Sequence, residues 1–449
     1  MTDDTTKKVI FEEETTCSDK PSWLFRTFGK MNKDSLRNTI FLMIAGTLGA
    51  GVYTLHQLFE EIGIIWSILL LVFACASSLL ALDMYIHASK TTGDPETVAD
   101  INTQILGKYF NYFSIAISAF FLFCILIAYT VGISNIIFEV VKERLIKYFG
   151  TTEEKISFKY HVPTCYIISL LTFFLVALKS IDKLSVFSIY CFMIHFYIIM
   201  VLVTQTYAYI TYEEPAFETK DSVKINVYDF DLKGFFYNFG LAICAFNNVP
   251  NFLSARNLLK NPSTERLRKV FGRANWIIMV IYAITAICGY ITVCYAGAKN
   301  KDFMIFRPKF GETDYLMTIG QCLLALSLMV TYSMLGFTLK MIILPYLPGK
   351  DTVKHYGLAA AICLSVAMIA MCYRSVGDFM NLAGSFCGTF IVILFPGFLA
   401  LYSGYSKNKF VRTGIQGWMI IGGISGAIST YYAFMNLVKD KVVPGVESP

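Results

Sequence analysis

The sequence predicts an all-α integral membrane protein with about eleven transmembrane helices, on three observations. Apolar residues make up 55% of the 449 and charged residues only 16%, where a soluble domain carries about a quarter. Mean hydropathy is +0.56. The apolar residues also gather into runs of roughly 20, the length that crosses a hydrocarbon core, and there are too many such runs for buried core helices. Only helices fit these runs, because each satisfies its own backbone hydrogen bonds where no water is present.

The expected spans lie near 38–60, 64–88, 111–138, 161–178, 185–210, 235–255, 274–297, 315–340, 355–373, 376–402 and 414–436. Residues 1–37 precede them as a polar segment. The chain opens on acidic Met1-Thr2-Asp3-Asp4 rather than on a basic leader, so the first apolar run is expected to act as a retained signal anchor. Within the segment, Arg26, Lys30, Lys33 and Arg37 share one helical face, with Leu24, Phe28 and Met31 on another. That pattern predicts an interfacial helix. The larger share of the 38 Lys and Arg residues falls on the side of the N-terminus, with Arg256 to Arg273 the densest loop, which predicts a cytoplasmic or matrix-side N-terminus. The plasma, vacuolar or lysosomal, and mitochondrial inner membranes all suit such a chain.

Net charge is +6, which suits anionic headgroups and gives no sign of nucleic-acid binding. Eleven of the 12 cysteines fall in or beside apolar runs, where they read as small packing residues, and Cys17 stands alone in the polar segment. No nucleophile–base pair, phosphate loop or metal-ligand spacing appears, so neither an enzyme nor a resident cofactor is expected.

Spans that merely anchor are uniformly apolar, so the informative residues break that rule. The first span carries Gly46-Thr47-Leu48-Gly49-Ala50-Gly51 at its middle. Each glycine weakens a helix by about 1 kcal/mol relative to alanine. The cluster either unwinds the backbone into a cavity or packs helices closely through small residues. The sixth span reads Ala245-Phe246-Asn247-Asn248-Val249-Pro250-Asn251-Phe252. Pro250 removes a helical hydrogen bond, and amides at that depth need a cavity or a partner. Two broken helices five spans apart point to a transporter built from inverted repeats, with its site between the breaks. Other polar residues stand singly. His56 lies one turn from Glu60, a spacing that suits either proton passage or a bond to a backbone carbonyl. Asp83 reads as an interfacial or paired residue and His195 as a hydrogen-bonded packing group.

At this point the chain resembles the amino acid/auxin permease family, within the amino acid–polyamine–organocation superfamily. GAGVYTLHQLFEEIG (Gly49 to Gly63) is similar to the family's GxGxLxLPxAFxxxG, with His56 in place of the proline. AFNNVPNFLSARNLLKNPSTERLRKVF (Ala245 to Phe271) is similar to the family's polar sixth span and its basic loop, here Lys260-Asn261-Pro262. NLAGSFCGTFIVILFPGFLALY (Asn381 to Tyr402) resembles the tenth span, and ALKSIDKLSVFS (Ala177 to Ser188) the loop before the fifth. The eighth span departs by lacking its usual prolines.

The resemblance implies a leucine-transporter-like fold, with five-plus-five inverted repeats and one extra helix. Its units would be the segment 1–37, a first repeat over 38–210, an outer loop and second repeat over 211–402, and a last span and tail over 403–449. It implies a secondary active transporter of amino acids or similar small zwitterions, alternating in access around a midplane site and coupled to H+ or Na+. Gly49, Ala50 and Gly51 would take the substrate carboxylate on backbone N–H groups, and the amine, at the end lined by Phe246, would take carbonyls of the broken sixth helix or acceptors such as Asn247 and Asn248. His56 on one hand, and Ser327 and Thr331 of the eighth span on the other, are the ion-coupling candidates. Because of the departures, the alternative is a transport-impaired relative acting as a membrane sensor or as an accessory subunit among partner membrane subunits.

Overall fold

The computed structural model describes residues 36–95, 97–149, 153–178, 187–211, 225–259, 261–295, 305, 314–348 and 351–439. The expected interfacial helix and Cys17 lie outside them. The described residues are helical almost throughout, and no strand occurs among them.

Helix α1 (Leu36–Thr47) is the first half of the first span. After a 3₁₀ turn at Ala50–Tyr53, helix α2 (His56–Thr91) completes that span and continues as the second. The two parts of α2 meet at Gly63, whose φ of 76° belongs to the left-handed region that glycine enters without a Cβ penalty. The freed N–H groups of Ile64 and Ile65 bond the carbonyls of Asn226 and Val227 at 3.2 and 3.1 Å.

A short amphipathic helix, α3 (Val98–Leu106), leads to α4 (Lys108–Phe149) and α5 (Glu153–Val176). The third span is therefore longer than its apolar run of 111–138. Helix α6 (Phe187–Thr211) closes the first five spans. The sixth span consists of α7 (Leu232–Ala245), a 3₁₀ turn at Val249–Asn251 holding Pro250, and α8 (Phe252–Leu258). Helix α9 (Thr264–Tyr295) starts ten residues before its apolar run. Arg266, Arg268, Lys269 and Arg273 lie on that added stretch, which a hydropathy reading takes for loop. Next come α10 (Tyr315–Ile343) and α11 (Asp351–Ala370). The tenth span begins as α12 (Val376–Leu382), widens into a π-helix over Ala383–Leu394 and ends as α13 (Phe395–Tyr402). Helix α14 (Lys409–Lys439) is the last.

Among the described residues, seven helices suffice by length and composition to cross a membrane. The other expected spans coincide with the broken helices, the shorter α5 and the more polar α14. The outside of the bundle is apolar at helical spacing. On α5, Ile167, Leu170, Leu171 and Phe174 are exposed, and on α14 Ile420, Ile421 and Ile424. An apolar exposed stripe with polar groups inside is what a helix bundle in lipid requires. The chain is an integral, multi-pass membrane protein.

At the face where α1 begins, charged side chains tie the helix ends together. The guanidinium of Arg256, only 6% exposed, donates to Ser89 Oγ at 2.7 Å and to the Pro95 carbonyl at 2.6 Å. It lies 3.8 Å from Asp94, which Lys90 also pairs. Arg268 pairs with Asp83, which in turn accepts from the Tyr405 hydroxyl. Asp83 is thus a paired residue, in keeping with its sequence reading. Partial burial raises the Asp94 carboxyl, but hydrogen bonds from Lys90 and Ser89 and the charges of Lys90 and Arg256 outweigh it and hold the group below the ordinary aspartate range. Its share of the latch is fully present above the unfolded value and is lost only as pH falls through that depressed value.

Candidate functional site

Both breaks lie where the sequence places them, and they face each other. In the first span the last helical bond is Leu48 N–H to the Ile44 carbonyl at 2.9 Å. The next bonds are of 3₁₀ type, from Val52 to Gly49 and from Thr54 to Gly51. Neighbouring side chains approach the glycines closely here. A Cβ on Gly49 would lie 2.3 Å from the hydroxyl of Tyr129 on α4, and one on Gly51 would lie 2.9 Å from Cε of Met380 on α12. In the sixth span the helix ends at Ala245, and the amide N–H groups of Asn247 and Asn248 reach only to the carbonyls of Cys244 and Phe246.

One residue holds the two broken ends together. The hydroxyl of Tyr282, on α9, lies 3.1 Å from the carbonyl of Thr47 and 3.1 Å from that of Ala245, the last residues of α1 and α7. These are terminal carbonyls with no helical partner, and the hydroxyl shares its proton between them. The Tyr282 ring also meets Phe246 edge-on at 5.1 Å.

The three amides of the sixth span have different surroundings. Asn248 is fully buried, with its Nδ2 donating to Asn275 Oδ1 on α9 at 2.8 Å and its Oδ1 accepting from the hydroxyl of Thr47. Asn275 is anchored in turn by the Phe271 carbonyl at 3.1 Å. Asn251 lies against α1, where a Cβ on Gly46 would be 3.2 Å from its Nδ2. Asn247 differs, since both its Nδ2 and its Oδ1 are inaccessible and have no partner among the described residues. A carboxamide left so at membrane depth costs about 1–3 kcal/mol per group unless something else bonds it.

Of the coupling candidates, His56 is buried with Nδ1 3.1 Å from the Tyr53 carbonyl in its own turn. Thr331 donates back to the Ser327 carbonyl at 2.9 Å, whereas the buried Ser327 Oγ has no partner. His195 stacks on Tyr53 at 5.7 Å, its Nδ1 2.7 Å from the Cys191 carbonyl.

The structure thus gathers Gly49, Ala50, Gly51, Phe246, Asn247 and Asn248 around one paired break. It adds Tyr129, Asn275, Tyr282 and Met380, which the sequence did not single out. Asn275 carried a usable signal, as a lone amide inside an apolar run. The two tyrosines carried none, since Tyr is common throughout this chain.

The family model described as transmembrane amino acid transporter protein matches residues 32–443. Glutamine transporter 2 of Aliivibrio fischeri is 20% identical over 357 residues, covering 79% of this chain and 84% of that one. Among solved structures, MhsT in complex with L-phenylalanine superposes with a TM-score of 0.57 at 13% identity, covering 90% of this chain and 100% of that one. A manganese transporter of Eremococcus coleocola superposes with a TM-score of 0.53 at 10% identity, over 90% of this chain and 88% of that one. At such identities the two structures speak for the fold alone, and that fold is the leucine-transporter arrangement expected from the sequence.

Proposed function

From its membership of the transmembrane amino acid transporter family, to which the chain belongs over nearly its whole length, we propose that this protein is a secondary active transporter of amino acids, working by alternating access around the paired breaks. The observation that carries the reading is the arrangement at the midplane. Two half-helices end face to face under one tyrosine, beside a carboxamide with no partner. A membrane protein that only anchors or assembles gains nothing from an unpaired amide there.

The substrate carboxylate takes the backbone N–H groups of Gly49, Ala50 and Gly51, where a helix start favours an anion. The ammonium group takes terminal carbonyls of the sixth-span break and the Oδ1 of Asn247. Asn248 is already engaged on both amide atoms, so its part is to hold the Asn247 turn against α1. The cargo class follows from the family, with L-glutamine as the first probe because a relative bears that name. A coupling H+ or Na+ completes the cycle. His56 and the pair Ser327 and Thr331 remain candidates to hold it.

The deciding experiment is uptake of a panel of labelled amino acids into proteoliposomes at several pH values, with and without sodium. Uptake of none, by protein that is folded and correctly inserted, would overturn transport and leave the accessory-subunit reading. Gly51→Leu is expected to abolish substrate binding in a protein that still extracts as a single species, because the new side chain fills the approach between the break and Met380. Unchanged affinity, measured by thermal shift with substrate, would mean that the glycines serve packing only.

For orientation we propose a cytoplasmic or matrix-side N-terminus. Single cysteines at Ser263 and at Asp229, placed in a background without the native ones, are then expected to react from opposite faces, with Ser263 on the N-terminal side. Labelling of both from one side would remove the sixth span as a crossing.

A further inference from the structure

The face opposite the N-terminus holds a second polar cluster, away from the midplane. Glu61 lies in the last turn before the Gly63 corner and accepts from Asn238 Nδ2 at 2.7 Å. The same Nδ2 reaches the Gly234 carbonyl at 3.0 Å. Asn238 is wholly buried, and its Oδ1 has no donor. One residue earlier on α7, the Tyr237 hydroxyl donates to Oδ1 of Asp378 on α12, at 2.5 Å. Asp378 is 5% exposed. A cavity of about 330 Å³ adjoins the cluster, with Glu61, Gly234 and Tyr237 on one wall and Tyr432 and Asn436 of α14 on the other.

We propose that Glu61 takes up the coupling proton from this cavity, and that its protonation closes the outer halves of the first and sixth spans over the substrate. The proposal rests on the transport reading above.

The first argument is a shortage of donors. Glu61 and Asp378 bring carboxylate oxygens, and Asn238 brings a buried amide oxygen. Against these stand the Tyr237 hydroxyl, spent on Asp378, the Asn238 amide, already shared, and the Asn436 amide of α14, engaged with Tyr237. One proton on Glu61 adds the missing donor.

The second argument is charge. Three acidic groups act on Glu61: its neighbour Glu60, Asp231 at the start of α7, and Asp378. Asp231 is occupied with capping α7 through the N–H groups of Lys233 and Gly234. Lys233, a cation lining the same cavity, is exposed to water, as Glu61 is. Like charges repel, with part of the effect screened because Glu61 and Asp231 are exposed to water in the cavity.

The third is position. Glu61 belongs to the half-helix that begins at the Gly49–Gly51 break, and Tyr237 and Asn238 to the half-helix that ends at Ala245. Bonds among them fix the two outer halves to each other and to α12. With Glu61 ionised, the carboxylates push these elements apart and open the cavity. With Glu61 protonated, the halves close. In this step one O–H bond forms on the carboxylate at the expense of water in the cavity, and it breaks to water when the halves part. Substrate and proton thus favour the same closed state, which is the condition for coupling them.

The test uses full-length protein in proteoliposomes, with L-glutamine, or the best amino acid of the panel, as probe. Two readouts are compared: accumulation driven by an imposed pH gradient, and exchange of labelled for unlabelled substrate without a gradient. Glu61→Gln is expected to lower pH-driven accumulation at least tenfold while exchange stays within about threefold of the parent. Glu61→Asp is expected to restore accumulation with a displaced pH profile. Gradient-driven accumulation by Glu61→Gln, or its loss of exchange together with accumulation in a folded state, would overturn the proposal. If Glu61→Gln does not fold, the profile of Glu61→Asp decides, and an undisplaced profile overturns it. Parent protein that transports without responding to a pH gradient also overturns it and leaves the transport reading standing. Parent protein with neither uptake nor exchange overturns both.

Discussion

Tyr282→Phe is expected to lower transport at least tenfold in a protein that still folds and extracts as a single species. The substitution keeps the ring, and with it the edge-on contact to Phe246 at 5.1 Å. It removes one hydroxyl, which serves the end carbonyls of both half-helices. Each carbonyl stranded without a donor costs about 1–3 kcal/mol, and tenfold in rate corresponds to about 1.4 kcal/mol. The effect on global stability is smaller, because a large apolar core is untouched, so the melting temperature should fall by only a few degrees. Uptake and thermal stability measured together separate the outcomes. Full uptake would show that the half-helices hold their spacing without the hydroxyl. A collapse of both would make Tyr282 a folding residue.

Gly384→Ala is expected to have the largest effect on the fold itself. Gly384 lies where the tenth span crosses α7, and a Cβ there would fall 1.8 Å from the Gly240 carbonyl oxygen and 2.7 Å from Cys244 Cβ. The obstructing atom is backbone, so no side chain can swing aside, and the two helices must separate. Overpacking ordinarily costs about 1–3 kcal/mol and more where backbone must move. Here the moving backbone is the half-helix that ends in the site. Size-exclusion profiles of a fluorescent fusion should show little monodisperse protein. Gly357→Ala and Gly414→Ala are the controls, because a Cβ at either meets nothing within 4 Å. Both are expected to extract normally, with helix propensity gaining up to about 1 kcal/mol. A normal profile for Gly384→Ala would mean that this crossing is looser than the structure has it.

Much of this architecture was legible from the residues alone, because lipid imposes simple requirements on a chain. Apolar runs had to be helices, and the runs that broke the rule had to be special. The glycine cluster at Gly46–Gly51 and the Asn247–Pro250 segment marked both breaks at their observed places. Two kinds of feature were hidden. Polar helix, such as the stretch of α9 bearing Arg266 to Arg273 or the amphipathic α3, carries no hydropathy signal, since its charged face meets water or headgroups. Side chains such as Tyr129 and Tyr282 sit on unbroken apolar helices, and only the packing of distant elements brings their hydroxyls to the breaks. The distinction among the three amides was hidden for the same reason. Asn248 is occupied because Thr47 and Asn275 come to it from other spans, and Asn247 is not.

The corner at Gly63 carries a consequence for what the chain tolerates. A single residue joins the outer half of the first span to the second span, and its neighbours are pinned to the 226–227 backbone. No slack exists there to absorb a change of length. One residue inserted or deleted would rotate everything from Ile64 to Thr91 by about 100° about the helix axis. An inserted residue would carry buried Leu71 to the exposed place of Val72 and exposed Leu69 to the buried place of Leu70. Substitutions along this helix can be absorbed one at a time, whereas a change of register at the corner misplaces all of them together, so length variation in the chain belongs in its loops and termini and is excluded at this corner.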